Sequence, residues 1–122
     1  MLAHVALNDL AMTAVAQALV HGRNDLVFGN TTCQDPRVLT DWVAATGDLA
    51  SLVARGRELA RVSMAATARL DPDQLATPVA CRLFHEGELV LDAPMPWGRL
   101  AAETQASVHL PAHTGQLRDL RR

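Results

Sequence analysis

Ala, Leu and Val dominate LAHVALNDLAMTAVAQALVH, residues 2–21, with no glycine or proline before Gly22. That pattern predicts a helix stopped at Gly22, a residue suited to the left-handed turn that closes many helices. The following GRNDLVFGNTTCQ, residues 22–34, holds two glycines and two asparagines and keeps no sustained period, so it predicts a loop. Asp35-Pro36 then supplies a capping side chain and a proline at the first helical position. Beyond it Leu39, Val43, Thr46, Ala50, Val53, Ala60, Met64 and Thr67 recur at helical spacing. One long helix over 36–69 is predicted, with Arg57 on its seam and a bend or close approach at Gly47 or Gly56.

The pattern changes after Leu70. VACRLF and LVLD favour strand and flank HEGE, where Gly87 suits a tight turn, so a short hairpin is predicted. Two strands are marginal alone and must lie on the helices. Pro94 and Pro96 are read as ending the hairpin and opening a last helix over 96–120. The expected fold is mainly α: an up-down helical bundle, residues 1–122 in one domain, with a short β-hairpin between the last two helices.

Composition narrows the function. The chain has 122 residues, 49% hydrophobic and 20% charged, a balance that supports a packed core. Its formal charge is −2, its basic residues are all arginine, and aromatics make up 3%, so little attracts or stacks nucleic acid. No basic region with an apolar run marks a signal peptide, and no uninterrupted apolar stretch of about 18 residues predicts a membrane span. The expectation is a cytoplasmic protein without nucleic-acid or membrane partners. Cys33 and Cys81, far apart and outside any CxxC, read as free buried thiols.

The candidate chemistry lies in the final helix, where HLPAHTGQL places His109 and His113 one turn apart. Gln105, His109, His113 and Gln116 fall within about 40° of one line along the predicted apolar face, while Pro111 points to the solvent side. Buried imidazoles and amides need partners, which carbonyls, carboxylates or water can supply. Two neutral imidazoles at this spacing can also point at one cation, leaving room for a third ligand. His4 is the candidate third ligand, centred on a predicted core face of the first helix with Asn8 beside it and Asp9 and Thr13 on the other side. His21 reads as a partner of the helix C-terminus and His85 as a solvated turn residue.

These motifs and the order of elements resemble the DinB-like superfamily of metal-dependent enzymes, which includes the metal-binding domain of mycothiol-dependent maleylpyruvate isomerase. The resemblance rests on LAH at residues 2–4, the long middle helix, the hairpin, and the ending HLPAHTGQLRDLR, whose HxxxHxxQ is its most specific part. It implies a four-helix bundle and a divalent metal, zinc or nickel, on His4, His109 and His113, with Gln116 in support. The family's first helix has no counterpart before His4, and a second copy of the chain filling that groove, hence a homodimer, is expected.

A cation on three imidazoles would activate a thiol, mycothiol or another of low molecular weight, or water, for transfer, isomerase or hydrolase chemistry on a small-molecule substrate. Asn8 could orient that substrate or pair within the bundle, and Arg57 could bind its carboxylate or reach to solvent. The competing expectation is a non-catalytic helical dimer acting as a binding or scaffolding module. No GxSxG, phosphate loop or inward carboxylate pair supports serine-hydrolase, nucleotide or glycosidase readings.

Overall fold

The computed structural model describes residues 1–103 and position 118. Helix α1, Leu2–Val20, ends as its sequence predicts. Gly22 takes the left-handed conformation at φ 72°, Gly22 N–H reaches the Leu19 carbonyl at 3.0 Å and Arg23 N–H reaches Ala18 at 2.8 Å. That paired closure satisfies the last carbonyls of the helix. A short strand β1, Val27–Gly29, and a 3₁₀ turn, Thr32–Gln34, then occupy the segment expected to be loop.

The single helix expected over 36–69 is two. Helix α2, Pro36–Thr46, starts on Asp35, whose carboxylate accepts from Arg37 N–H at 2.8 Å. Gly47 at φ 101° turns the chain out of the helix, and Asp48 caps helix α3, Leu49–Ala68, by accepting from Ser51 N–H at 2.8 Å. A left-handed glycine followed at once by a capping aspartate stops one helix and starts another, although the apolar spacing carries across the break. A five-residue helix α4, Pro72–Ala76, follows, held by a reciprocal capping box between Asp71 and Gln74. The Gln74 amide also donates to the Leu19 carbonyl at the end of α1.

The hairpin turns at Glu86-Gly87, both with positive φ, but its strands are longer than VACRLF and LVLD. Strand β2 is Pro78–His85 and β3 is Glu88–Pro96, paired antiparallel from Pro78↔Pro96 to His85↔Glu88. Pro94 lies within β3, and Pro96 both ends the strand and caps the helix that follows, so the prolines close the hairpin and open a helix as expected. An edge strand tolerates them because one side of its ladder is open. Helix α5, Trp97–Ala102, starts directly after, and its Gly98 lies so close to α4 that a Cβ there would come within 3.2 Å of Leu75 Cβ. The rest of the expected last helix, with Gln105, His109, His113 and Gln116, lies outside the described residues.

Strand β1 joins β2 in parallel, Val27↔Ala80 to Gly29↔Arg82, giving a mixed three-stranded sheet in the order β1-β2-β3. The crossover from β1 to β2 runs through α2, α3 and α4, as parallel neighbours require. The mainly α four-helix-type bundle is thus corrected to a mixed architecture, 63% helix and 19% strand among the described residues. What overturned it is the added strand β1, which pairs with β2 far along the chain.

The core lies between α1, α3, the sheet and α5. Met12, Val15, Ala16 and Leu19 of α1 meet Phe28 of β1, Ala66 of α3, Val79 and Cys81 of β2, and Trp97 and Leu100 of α5. Phe28 and Trp97 pack edge to face at 5.5 Å between ring centres. Helix α1 is long and apolar enough to cross a membrane by length and composition, and half of that stretch is buried inside the fold.

Alternation along β1 gives a direct test of its register, because Phe28 is 2% exposed and its neighbour Val27 is 58% exposed. Phe28→Ala is expected to lower the unfolding free energy by about 3–5 kcal/mol in urea titrations. Val27→Ala is expected to stay within about 0.5 kcal/mol of the parent. Equal losses would mean that the strand is not registered as described.

Candidate functional site

His4 sits in the first turn of α1, half-buried, with its side chain towards the 3₁₀ turn that follows β1. Its Nδ1 lies 2.7 Å from the backbone carbonyl of Cys33. A carbonyl only accepts, so Nδ1 carries the proton and Nε2 bears the lone pair in the neutral ring.

The turn that supplies this carbonyl is itself anchored. Asn30 Nδ2 donates to the Phe84 carbonyl at 2.9 Å, and Asn30 Oδ1 accepts from Phe84 N–H at 2.8 Å. Gln34 Nε2 donates to the same carbonyl at 3.2 Å, and Cys33 Sγ donates back to the Asn30 carbonyl at 3.2 Å. Both ends of the turn are therefore fastened to β2.

Asn8, one turn along α1 from His4, is 4% exposed and directs its amide at Met12 Sδ, 3.5 Å away within the same helix. Asp9 is 5% exposed, which corrects its expected place on the outer side of α1. The reason is that α1 is covered on several sides, by α3, by β1 and by the 3₁₀ turn, so its buried arc extends beyond the stripe centred on His4. Arg57 is exposed on α3. The structure thus places His4 and Asn8 together on α1 and leaves Arg57 facing solvent. His21 closes α1, and His85 stands exposed in the hairpin, 3.9 Å from the Glu86 carboxylate. Among the described residues no group of three or more His, Cys, Asp or Glu side chains could share a metal ion. The remaining sequence-predicted residues, Gln105, His109, His113 and Gln116, fall in the segment that is not described.

Beside the His4 anchor runs an apolar groove of about 390 Å³, lined by Leu7, Leu10 and Ala14 of α1, Val27 of β1, and Thr32 and Cys33 of the turn. Leu10 and Val27 are 48% and 58% exposed there. Cys33 links the two features: it is part of the groove lining, and its carbonyl holds the imidazole.

Sequence reasoning reached His4 but missed Asn30 and the Cys33 carbonyl. The local signal was an Asx residue directly after a short apolar run, LVFGN, a place where a side-chain amide often stands in for backbone pairing. No family model, curated protein or solved structure matches the chain. The resemblance in HLPAHTGQLRDLR therefore stands on its motif alone.

Both cysteines are free and buried, and burial pushes both thiols up from the ordinary value, with a backbone hydrogen bond partly opposing it in each. Raised values favour the neutral thiol in the fold. The stability this contributes is complete below the ordinary thiol value and is lost as the pH rises through the raised ones. At about pH 8 the native protein is expected to react slowly with a thiol reagent and to show both thiols only on denaturation. The urea midpoint is expected to fall as the pH rises above about 9. Rapid titration of two thiols in the native state would contradict their burial.

Proposed function

We propose that the chain is a metal-dependent enzyme in which His4, His109 and His113 hold a divalent cation, zinc or nickel, for transfer, isomerase or hydrolase chemistry on a small molecule. The observation that carries this reading is the hydrogen bond from His4 Nδ1 to the Cys33 carbonyl. Metal-ligating histidines regularly donate their other ring nitrogen to a carbonyl or carboxylate, which fixes the tautomer and makes the ligating nitrogen more basic. His4 has that arrangement, with Nε2 as the lone-pair nitrogen, so it fits the role of a ligand. When bound, the cation supplies Lewis acidity that favours the deprotonated form of a thiol, such as mycothiol, or of water.

In this reading His109 and His113 bring two further neutral imidazoles, as their resemblance to the DinB-like HxxxHxxQ ending implies. Gln105 and Gln116, on the same stripe of the sequence, support them. Asn8 is buried one turn from His4, and Arg57, exposed on α3, is free to meet the substrate's carboxylate from solvent. The groove running from Cys33 to Leu10 receives the apolar portion of the substrate.

Metal content measured by mass spectrometry on untagged protein tests the reading. Roughly one zinc or nickel per chain is expected, lost in His4→Ala and in His113→Ala, with a fall in thermal stability on chelation. No bound metal, and no uptake when zinc or nickel is supplied, overturns it.

A second reading, a non-catalytic binding or scaffolding module that works as a homodimer, is favoured by the exposed Leu10 and Val27 in that groove. Sedimentation is then expected to show a dimer that Leu10→Glu converts to monomer. A monomeric parent protein removes this reading.

A further inference from the structure

We infer that Asn30 is a positioning residue for His4, setting which ring nitrogen is presented to the metal; the inference rests on the reading of His4 as a ligand. The β1 to β2 ladder ends at the pair Gly29↔Arg82, where β1 runs out. Strand β2 continues to Phe84, and its pairing with β3 shifts register between Leu83 and Phe84. At that point the Phe84 peptide needs partners on its β1 side, and the Asn30 amide supplies both a donor and an acceptor at 2.9 and 2.8 Å. The side chain thus takes the place of a strand where the backbone has already turned away.

The turn that departs from Asn30 is pinned at its far end as well, because Gln34 donates to the same Phe84 carbonyl. Cys33 lies between the two pins. Its thiol donates to the Asn30 carbonyl at 3.2 Å, and its own carbonyl accepts from His4 at 2.7 Å. Phe84, Asn30, Cys33 and His4 therefore form one hydrogen-bonded path from the sheet to the imidazole. The 3₁₀ turn is three residues long, with Thr32 and Gln34 exposed and Cys33 buried between them, so the side-chain pins at its two ends add to its own backbone hydrogen bonds in fixing where the Cys33 carbonyl points. A carbonyl placed within reach of Nδ1 holds the proton there and leaves Nε2 as the lone-pair nitrogen. A carbonyl allowed to drift lets the ring exchange tautomers and rotate, and metal affinity falls without any ligand being touched.

The test uses the full chain with ¹⁵N-labelled histidine and reads the His4 tautomer by long-range proton–nitrogen correlation at alkaline pH. The same proteins are titrated with zinc against a chromophoric chelator. The parent is expected to show His4 protonated at Nδ1. In Asn30→Ala, with the far-UV spectrum retained, His4 is expected to show mixed tautomers and zinc affinity to fall about tenfold. Gln34→Ala removes only the outer pin at an exposed position and is expected to shift both readouts the same way by less. If Asn30→Ala does not fold, Gln34→Ala decides alone, and a parent-like tautomer and zinc affinity in it overturn the inference. Parent-like readouts in a folded Asn30→Ala protein overturn it equally. A parent that takes up no zinc, while its His4 tautomer still shifts in Asn30→Ala, removes the ligand reading and leaves the role of Asn30 in setting the ring.

Discussion

The apolar surface of α1 goes around most of its circumference, and no single neighbour can cover it. Ala3, Ala6, Met12, Val15, Ala16, Ala18 and Leu19 are all buried, although they do not lie on one stripe. A helix of that kind needs partners on several sides. Helix α3 takes one side, while β1 and the 3₁₀ turn approach another. The sheet is fixed to the same helix through Phe28, and α5 reaches it through Trp97 and Leu100. Helices α2 and α3 contribute little to the interior by comparison: none of α2 is buried, and of α3 only Ser63 and Ala66 are. Their place is set by the helix they cover more than by a core of their own.

Within α1 the two halves differ. Met12, Val15, Ala16 and Leu19 supply its share of the hydrophobic cluster. The first half carries the half-buried His4 and the buried Asn8 and Asp9. Burying polar groups costs free energy unless they are well partnered. Such residues are usually retained at a site rather than for packing. The two halves thus differ in what they bury: one end of the helix carries the apolar cluster and the other the polar groups. The groove beside Leu7 and Leu10 opens on the same side as the turn that touches the second end.

Local chemistry was legible in the sequence wherever it was self-contained. Gly22 closing α1, Asp35-Pro36 opening α2 and the turn at Glu86-Gly87 each follow from residues within a few positions of one another. The break at Gly47-Asp48 was legible in principle, but the apolar spacing on both sides agrees so well that it masks a two-residue interruption. Strand β1 was not legible: three residues give no period, and what makes them a strand is β2, far along the chain. The mixed sheet was missed for that reason, and with it the length of the hairpin. Of the site, His4 could be picked out by its position among apolar neighbours. The group that orients it is a main-chain carbonyl, which carries no residue identity, and the side chain that fixes that carbonyl acts on Phe84, 54 positions away.

That separation bears on the order of assembly. The hairpin β2–β3 closes over a two-residue turn, whereas β1 can meet β2 only after α2, α3 and α4 have brought the chain back. Contacts between distant segments form late, because the loop between them must be closed first. The turn that holds His4 is fastened to β2 by Asn30 and Gln34, so it is completed in the same step as the sheet edge. Chains still short of that step can contain α1 and the hairpin yet lack an oriented imidazole, and sheet closure becomes the event that sets the ring.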